Sequence, residues 1–468
     1  MIPLTLSEIA SAIDGQLTNI GDDQIIIKNV CTDTRNIQPG CLFIALQGAS
    51  FDAHEFLSEA LQLGSKAFIL HKKSNNPLPA ILVDDTRIAL GLLSAYVKSK
   101  ITDLKCAAIT GSNGKTTTKE LLSSILNTQM GNSVLATAGN FNNDIGLPLT
   151  LLRLTEKTNF VVVELGANHQ GEIAYTANLA KPDVALINNV MPAHLEGFGS
   201  IEGIAKAKGE IWSSLTKKGT GVVNLDAKFS EEYINQLTQQ HNNIFTFSQQ
   251  EKTATVFASN IKYDDLGYAT FTINYRQQST VISLNIAGKH NVSNALAAAS
   301  MAIVLGCDLN TIIKGLGLVQ EVVGRVNSCK VNNSLTLIDD TYNANSASLK
   351  AAIDLLEQCN GEKTLIFADM GELGKYSEQE HRSVGIYASE KGINNLLTVG
   401  KFTEFTHHAF TGISQRNALH FADKNALKKY LKIYLLEISN QKSTVLVKGS
   451  RGTKMEEIVA YIKQSKIG

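Results

Sequence analysis

The chain is predicted to be an α/β protein of three domains. Three observations carry this. Its 468 residues suggest about three domains by length. Short, nearly continuous apolar runs alternate with stretches of helical periodicity, twice over, as parallel sheets covered by helices require. At the start of the first such series stands Thr110-Gly111-Ser112-Asn113-Gly114-Lys115-Thr116-Thr117, a glycine-containing loop ending in Gly-Lys-Thr.

Residues 1–102 mix short strands and helices and read as a small N-terminal α/β domain. Ser7 to Ile13 is expected to be helical, and Cys41–Leu46 and Ala80–Val83 to be strands. Residues 103–319 alternate strand and helix, with strands expected at 106–110, 160–165, 184–190 and 221–225. Their almost unbroken apolar character suits strands of a parallel sheet buried on both faces. Residues 244–287 break the rhythm with β-rich runs such as Tyr268–Ile273 and Thr280–Ile286, read as an antiparallel insertion or flanking sheet. A helix then runs from about Asn291 to Leu305. From 320 the alternation restarts, with strands at 334–339, 363–368, 394–399 and 443–448 and helices at 347–358, 378–391, 424–436 and 454–464. Residues 320–468 therefore read as a C-terminal Rossmann-like doubly wound domain.

Composition narrows the function classes. Hydrophobic residues make up 44% and charged ones 18%, and the formal net charge is zero, so no electrostatic pull toward nucleic acid or anionic membrane follows. The N-terminus lacks the basic and long apolar segments of a signal peptide, and no apolar run approaches the length needed to span a bilayer. The six cysteines are scattered and form no Cys-x-x-Cys pair, which fits a reduced, cytoplasmic protein without a cysteine zinc site.

The loop carries the strongest chemistry. Cys106–Ile109 reads as a buried strand before it and Lys119–Leu126 as a helix after it. Strand, loop and helix N-terminus make a phosphate cradle, because backbone N–H groups point into the loop and the helix adds its positive end. Lys115 would neutralise phosphate charge, and the Thr116 hydroxyl would reach a magnesium ion. Gly111 to Thr117 are thus candidates to bind a nucleoside triphosphate. The usual phosphate loop has glycine five residues before Gly-Lys; here Ile109 stands there, and the spacing is Gly-x-x-Gly-Lys-Thr-Thr. The bland alternative, a glycine turn capping a helix, is disfavoured by the strand and helix on either side.

Five further constellations come off strands or open helices. Phe160–Glu164 delivers an acid at a strand's C-terminal end, where parallel sheets place ligands and where a carboxylate can hold magnesium. A solvated strand-end acid is the alternative, and the upstream phosphate loop favours the metal. Asn188–Ser200 puts His194 and Glu196 in a loop over the same sheet edge, although a lone loop histidine is more often a surface residue. Ile204–Ile211 carries Lys206 and Lys208, which read blandly as a solvated helix face. In Gly288–Ala298, Asn291 is a candidate N-cap, while His290 and Asn294 could meet a base edge. In Leu337–Ser346, paired acids, a tyrosine and two asparagines could bind a ribose or simply form a turn.

In this order and at these separations, the motifs resemble the Mur ligase family over essentially the whole chain. Asn140–Thr150, Asp339–Asn345, Asp369–Gly374 and Val447–Gly452 narrow the resemblance to the type that joins D-alanyl-D-alanine to a UDP-N-acetylmuramoyl-tripeptide. The Asp-Asn-Pro-Arg motif of the diaminopimelate-adding type is absent. The resemblance implies that 1–102 holds the UDP-sugar end of the substrate, 103–319 holds ATP, and 320–468 closes over the site and helps bind the amine. It implies Thr34 and Arg35 near the uridine nucleotide, with Phe43–Gly48 and Asp52–His54 lining the same region. Asn140, Asn142 and Asn143 are also assigned to substrate. Gly111, Ser112, Asn113, Gly114, Lys115, Thr116 and Thr117 are assigned to ATP phosphates. Thr116 and Glu164 are assigned to a first magnesium, and His194 and Lys208 to a second. Lys208 would be carbamylated, which turns a cation into an anionic ligand; Lys206 is the alternative. Asn291 or Asn294 would contact adenine, and Arg325 and Asp340 phosphate or ribose. Lys115, His194 and Lys208 are the catalytic candidates. Two departures from the family pattern, Ser346 for proline and Ala53 for glycine, are expected to loosen turns.

The implied reaction is amide formation driven by ATP with Mg2+, a cytoplasmic step of peptidoglycan synthesis carried out by a monomer with no nucleic-acid partner. The tripeptide carboxylate would take the γ-phosphoryl group, and the D-alanyl-D-alanine amine would then displace phosphate. Two alternatives stand beside it. A folylpolyglutamate-type or other muramyl ligase would keep the loop and change the amine. A nucleotide switch or motor ATPase would leave the second doubly wound domain without a role.

Overall fold

The apolar runs fold as strands of three main sheets, with a two-stranded ribbon beside the first. The computed structural model describes every residue except 19–23, 49, 74–76, 132, 193–194, 265, 320–322, 414, 440 and 466–468. The expected boundary at 320 therefore lies outside the described residues.

The first strands are β1 (Leu4–Thr5), β2 (Gln16–Thr18), β3 (Ile26–Ile27), β4 (Val30–Cys31), β5 (Leu42–Ile44), β6 (Ala67–Leu70) and β7 (Ala80–Leu82). β1 pairs with β3, and the other five form one sheet in the order β2-β7-β6-β5-β4. The run Cys41–Leu46 yields only Leu42–Ile44 as strand, because the Leu46 N–H turns back to the Ile44 carbonyl at 3.0 Å.

The central sheet contains β8 (Lys105–Thr110), β9 (Val134–Ala136), β10 (Phe160–Glu164), β11 (Val184–Ile187), β12 (Thr220–Asn224), β13 (Asn243–Ser248), β14 (Val256–Tyr263), β15 (Tyr268–Tyr275) and β16 (Gln278–Ala287). Their order is β16-β15-β14-β13-β12-β11-β8-β10-β9. Pairing is parallel from β9 through β14 and antiparallel from β14 to β16, so the β-rich stretch extends the same sheet. The chain runs from β8 out to the edge at β9, returns to β10, and crosses to β11 on the other side of β8. That reversal opens a crevice at the C-terminal end of β8, where ligands of such sheets bind.

The third sheet contains β17 (Asn327–Lys330), β18 (Leu335–Asp340), β19 (Glu362–Ala368), β20 (Asn395–Val399), β21 (Asn417–Phe421) and β22 (Ser443–Lys448). It is ordered β17-β18-β22-β19-β20-β21 and is parallel apart from β17. Among the strands the sequence reading lacks are β9, β17 and β21, which are short edge strands with partly exposed side chains.

Burial explains how the units pack. One face of the central sheet (Cys106, Ala108, Val161, Val163) shares a single core with N-terminal residues such as Ile9, Ile44 and Leu93. The other face packs Ile109 and Val162 against Leu122 of the helix Lys115–Met130 and the alanine-rich helix His290–Val304. That helix begins at His290, with Lys289 as its cap and no side-chain cap bond. Asn291 is therefore not the N-cap; it sits inside the first turn and donates its amide to the Ala287 carbonyl at 2.7 Å. The C-terminal sheet has a core on each of its two faces. Among the described residues, no helix is long and apolar enough to cross a membrane.

Leu122 is fully buried where the helix Lys115–Met130 meets this core. Leu122→Ala should lower stability by about 2–5 kcal/mol, seen as a lower thermal midpoint. An unchanged midpoint would contradict the packing described.

Candidate functional site

The helix Lys115–Met130 starts from Gly114, whose φ of +76° is left-handed and whose added Cβ would stand 2.4 Å from Asn188 Nδ2. Glycine is required there on both counts. The first intrahelical bond runs from the Thr118 N–H to the Gly114 carbonyl, so the preceding amides are the donors a helix N-terminus leaves free.

The loop is wired from beneath to the end of β11. The Ser112 N–H donates to the Asn189 carbonyl at 3.0 Å, and its hydroxyl to the Met191 carbonyl at 2.8 Å. The Asn113 N–H donates to Asn189 Oδ1 at 2.9 Å, while the Asn188 and Asn189 amides donate to the Asn113 carbonyl at 2.9 and 3.0 Å. Asn188 also donates to Asn294 Oδ1 at 2.9 Å, and Asn294 donates to Asn291 Oδ1 at 2.8 Å. Asn291 and Asn294 are only 4% and 3% exposed, so these two adenine candidates lie beneath the loop, bonded to its supports.

Above the loop the charged groups converge. Thr116 donates its hydroxyl to Glu164 Oε2 at 2.8 Å and accepts from Arg325 Nη2 at 3.0 Å. Asn142 donates to Glu164 Oε1 at 2.8 Å. Lys115 donates to the Gly111 carbonyl at 2.8 Å. Desolvation pulls its ammonium below the ordinary lysine value, opposed by attraction to Glu164 and reinforced by Arg325. Lys208 is buried, whereas Lys206 on the same helix is exposed. Lys208 has no hydrogen bond or ion pair among the described residues. Burial first, then repulsion from Lys115, holds its amine far below the ordinary lysine range.

Among the described residues, hydrogen bonds tie the C-terminal domain to this region at three points. Arg325 meets Thr116, Asn345 donates to Asn113 Oδ1 at 2.8 Å, and the Tyr376 hydroxyl donates to the Gly199 carbonyl at 3.4 Å. The Arg325 guanidinium also stacks 4.1 Å over the Tyr342 ring, and its buried Nε has no partner among the described residues. Asp340 forms a buried ion pair with Lys448, which also donates to the Asn343 carbonyl at 3.0 Å.

Other sequence candidates lie elsewhere. Thr34 and Arg35 begin a short turn capped by Asp33, and Arg35 is exposed in an ion pair with that aspartate at 2.6 Å. Asn140 is exposed, and Asn143 accepts from the Gly146 N–H at 2.8 Å. His194 falls outside the described residues. The sequence reading did not single out Asn188, Asn189 or Lys119, and it offered Asn345 to a ribose or a turn, whereas here Asn345 meets Asn113. Lys119 had a signal, a charged residue at helical spacing from buried Leu122 and Leu126.

The donor set suits a nucleotide with magnesium. Free helix amides, the cradle at Gly114 and the orphaned Arg325 Nε are all donors for phosphate oxygens. Thr116 and Glu164 are hard oxygen ligands of the kind magnesium prefers. Among the described residues no group of three or more His, Cys, Asp or Glu converges as a metal cage, which suits an ion that keeps waters and phosphate oxygens in its shell. Lys208 fits a metal only once its amine is no longer a cation.

Comparisons with known proteins identify relatives of the whole chain. Residues 26–101 match the Mur ligase family catalytic domain, 109–302 the Mur ligase middle domain, and 324–451 the Mur ligase glutamate ligase domain. The chain is 42% identical to UDP-N-acetylmuramoyl-tripeptide–D-alanyl-D-alanine ligase of Escherichia coli K12, covering 99% of each. A crystal structure of MurF from Acinetobacter baumannii superposes with a TM-score of 0.93 at 36% identity, covering 99% of each chain. MurF ligase from Thermotoga maritima in complex with ADP matches with a TM-score of 0.81 at 25% identity, over 93% of this chain and 97% of that one.

Two outcomes test this geometry. Gly114→Ala should abolish ADP binding in calorimetry while the circular dichroism spectrum stays that of a folded protein; undiminished binding would contradict the cradle. Lys208 is depressed in the folded state, so the unfolded chain holds more protons and its burial penalty is relieved as pH rises toward 10.5. In CO2-free buffer, Lys208→Met should therefore raise the thermal midpoint at neutral pH, with the gain shrinking at alkaline pH. A gain that grows with pH would refute it.

Proposed function

The chain belongs to the Mur ligase family, and from that membership we infer an ATP-dependent ligase that joins D-alanyl-D-alanine to UDP-N-acetylmuramoyl-tripeptide in peptidoglycan synthesis. The single observation that carries the chemistry is the convergence of Lys115, Thr116, Glu164 and Arg325 on one loop. ATP supplies the phosphoryl group that activates the tripeptide carboxylate, and magnesium would screen phosphate charge between Thr116 and Glu164.

The chain's own residues do the rest by position and charge. Lys115 and the free amides ahead of Thr118 hold phosphate oxygens. Arg325 has a spare Nε donor, which supports a move from Thr116 onto phosphate. Asn142 holds one Glu164 oxygen and leaves the other toward Thr116. The contacts of Asn345 and Tyr376 support a third domain that shuts water away from an activated carboxyl group, which water would destroy. Residues 1–102 would hold the UDP-sugar end, 103–319 ATP, and 320–468 the incoming amine. Thr34 and Arg35 belong to the first of these regions. The Lys448 ion pair shapes the turn after Asp340, whose remaining oxygen could meet ribose.

Burial with no partner among the described residues supports Lys208 over Lys206 as the carbamylated residue, because a neutral amine is the form that adds CO2. His194 would join it at a second magnesium. All of these groups belong to one chain, which supports a monomer. The six cysteines are free thiols and the substrates are soluble, which supports a cytoplasmic location.

Lys115→Ala should cut turnover on the order of a thousandfold with the fold retained. Lys208→Ala should be inactive and partly rescued by added acetate; full activity would remove Lys208 from the site. Phosphate release is to be measured with ATP, D-alanyl-D-alanine and UDP-linked tripeptide, omitting one component at a time. Release that persists without the amine would overturn the ligase reading.

A further inference from the structure

The buried side of the helix Lys115–Met130 carries one residue that packing does not explain. Lys119 is 2% exposed and shares a face with Leu122 and Leu126. An apolar side chain there would avoid desolvating an ammonium, and such replacements of buried ions are often neutral or stabilising. The ammonium instead has specific partners. It donates to the Thr137 carbonyl at 2.6 Å and lies 2.7 Å from the Glu120 carboxylate at the solvent edge.

Thr137, 1% exposed, is the next link, its hydroxyl accepting the backbone N–H of Glu164 at 3.0 Å. Farther along the same loop, Asn142 donates to Glu164 Oε1, and its carbonyl accepts the Gly166 N–H at 2.8 Å. Glu164 Oε2 returns to the Thr116 hydroxyl, about one turn before Lys119 on the starting helix. The bonds close a ring from helix to loop to strand end and back.

We propose that Lys119 is a positioning residue for the ligase reaction: by holding the Thr137 carbonyl against the phosphate-loop helix, it sets the Glu164 carboxylate relative to the Thr116 hydroxyl and so the geometry offered to the divalent cation. Lys119 itself touches neither nucleotide nor substrate. The inference rests on the reading of Thr116 and Glu164 as metal ligands.

The test uses Lys119→Met, which keeps length and removes the ammonium donor, and Thr137→Val, which keeps shape and removes the hydroxyl that accepts the Glu164 N–H. ADP binding is measured by calorimetry with and without MgCl2, together with the thermal midpoint and turnover. Both variants should bind ADP without magnesium as the parent does. Both should need about tenfold more magnesium for half-maximal effect, as loss of a group supporting a metal ligand typically produces. The midpoint of Lys119→Met should equal or exceed the parent's, and kcat should fall while KM for the UDP-linked peptide holds. The double variant should lose no more than the worse single one, because both cut the same chain of bonds. Glu164→Gln is the reference. If it raises the magnesium requirement and the two variants do not, the positioning role falls and the metal reading stands. If it does not, the metal reading itself fails. A loss of ADP binding equal with and without magnesium would show a merely structural lysine. Should Lys119→Met not fold, Thr137→Val decides.

Discussion

The hydrogen bond from the Thr116 hydroxyl to the Glu164 carboxylate is the junction on which the site depends. Thr116 belongs to the first turn of a helix and Glu164 to the last residue of a strand two places away in chain order but adjacent to β8 in the sheet. Neither element could be shifted without losing it. The parallel register of β8 and β10 sets Glu164 beside Ile109, just before the loop begins. The left-handed turn at Gly114 then aims the helix so that Thr116 faces back toward the strand end.

Around that junction the molecule keeps cations close together with few anions. Lys115 and Arg325 gather near the Glu164 carboxylate, Lys208 lies within reach of Lys115, and burial disfavours the charged amine of both lysines. Such a cluster is uncomfortable in an unliganded protein and well matched to a polyanion. Its cost is contained by amides: Asn113, Asn188, Asn189, Asn291 and Asn294 form an uncharged framework that satisfies the loop's polar groups without cancelling the positive field.

Much of this was legible in the sequence, unevenly so. The strands beneath the loop are unbroken apolar runs, and the loop's glycines and lysine have few other uses in that setting, so β8, β10 and the cradle could be read directly. Lys208 could be named only through a family resemblance, since a buried and an exposed lysine look alike in sequence. The asparagine framework was invisible because Asn188 and Asn189 resemble ordinary turn residues, and their importance appears only when β11 lies beside β8. Asn291 was misjudged as a cap because helix-start residues are chosen by local chemistry, whereas here the helix begins one residue earlier and Asn291 serves the buried network.

The shared core between the N-terminal sheet and the central sheet has a consequence for how the chain can be divided. Ile9, Ile44 and Leu93 belong to the same apolar mass as Val161 and Val163, whereas among the described residues the C-terminal cores borrow only Ala287 and Tyr268 from the central sheet. Three domains by topology are thus two bodies by mechanics. A cut near residue 320 would sever mainly polar contacts, but a cut near 102 would tear an oily interior. The N-terminal sheet and the phosphate loop are consequently welded into one rigid unit, and the C-terminal sheet keeps cores of its own.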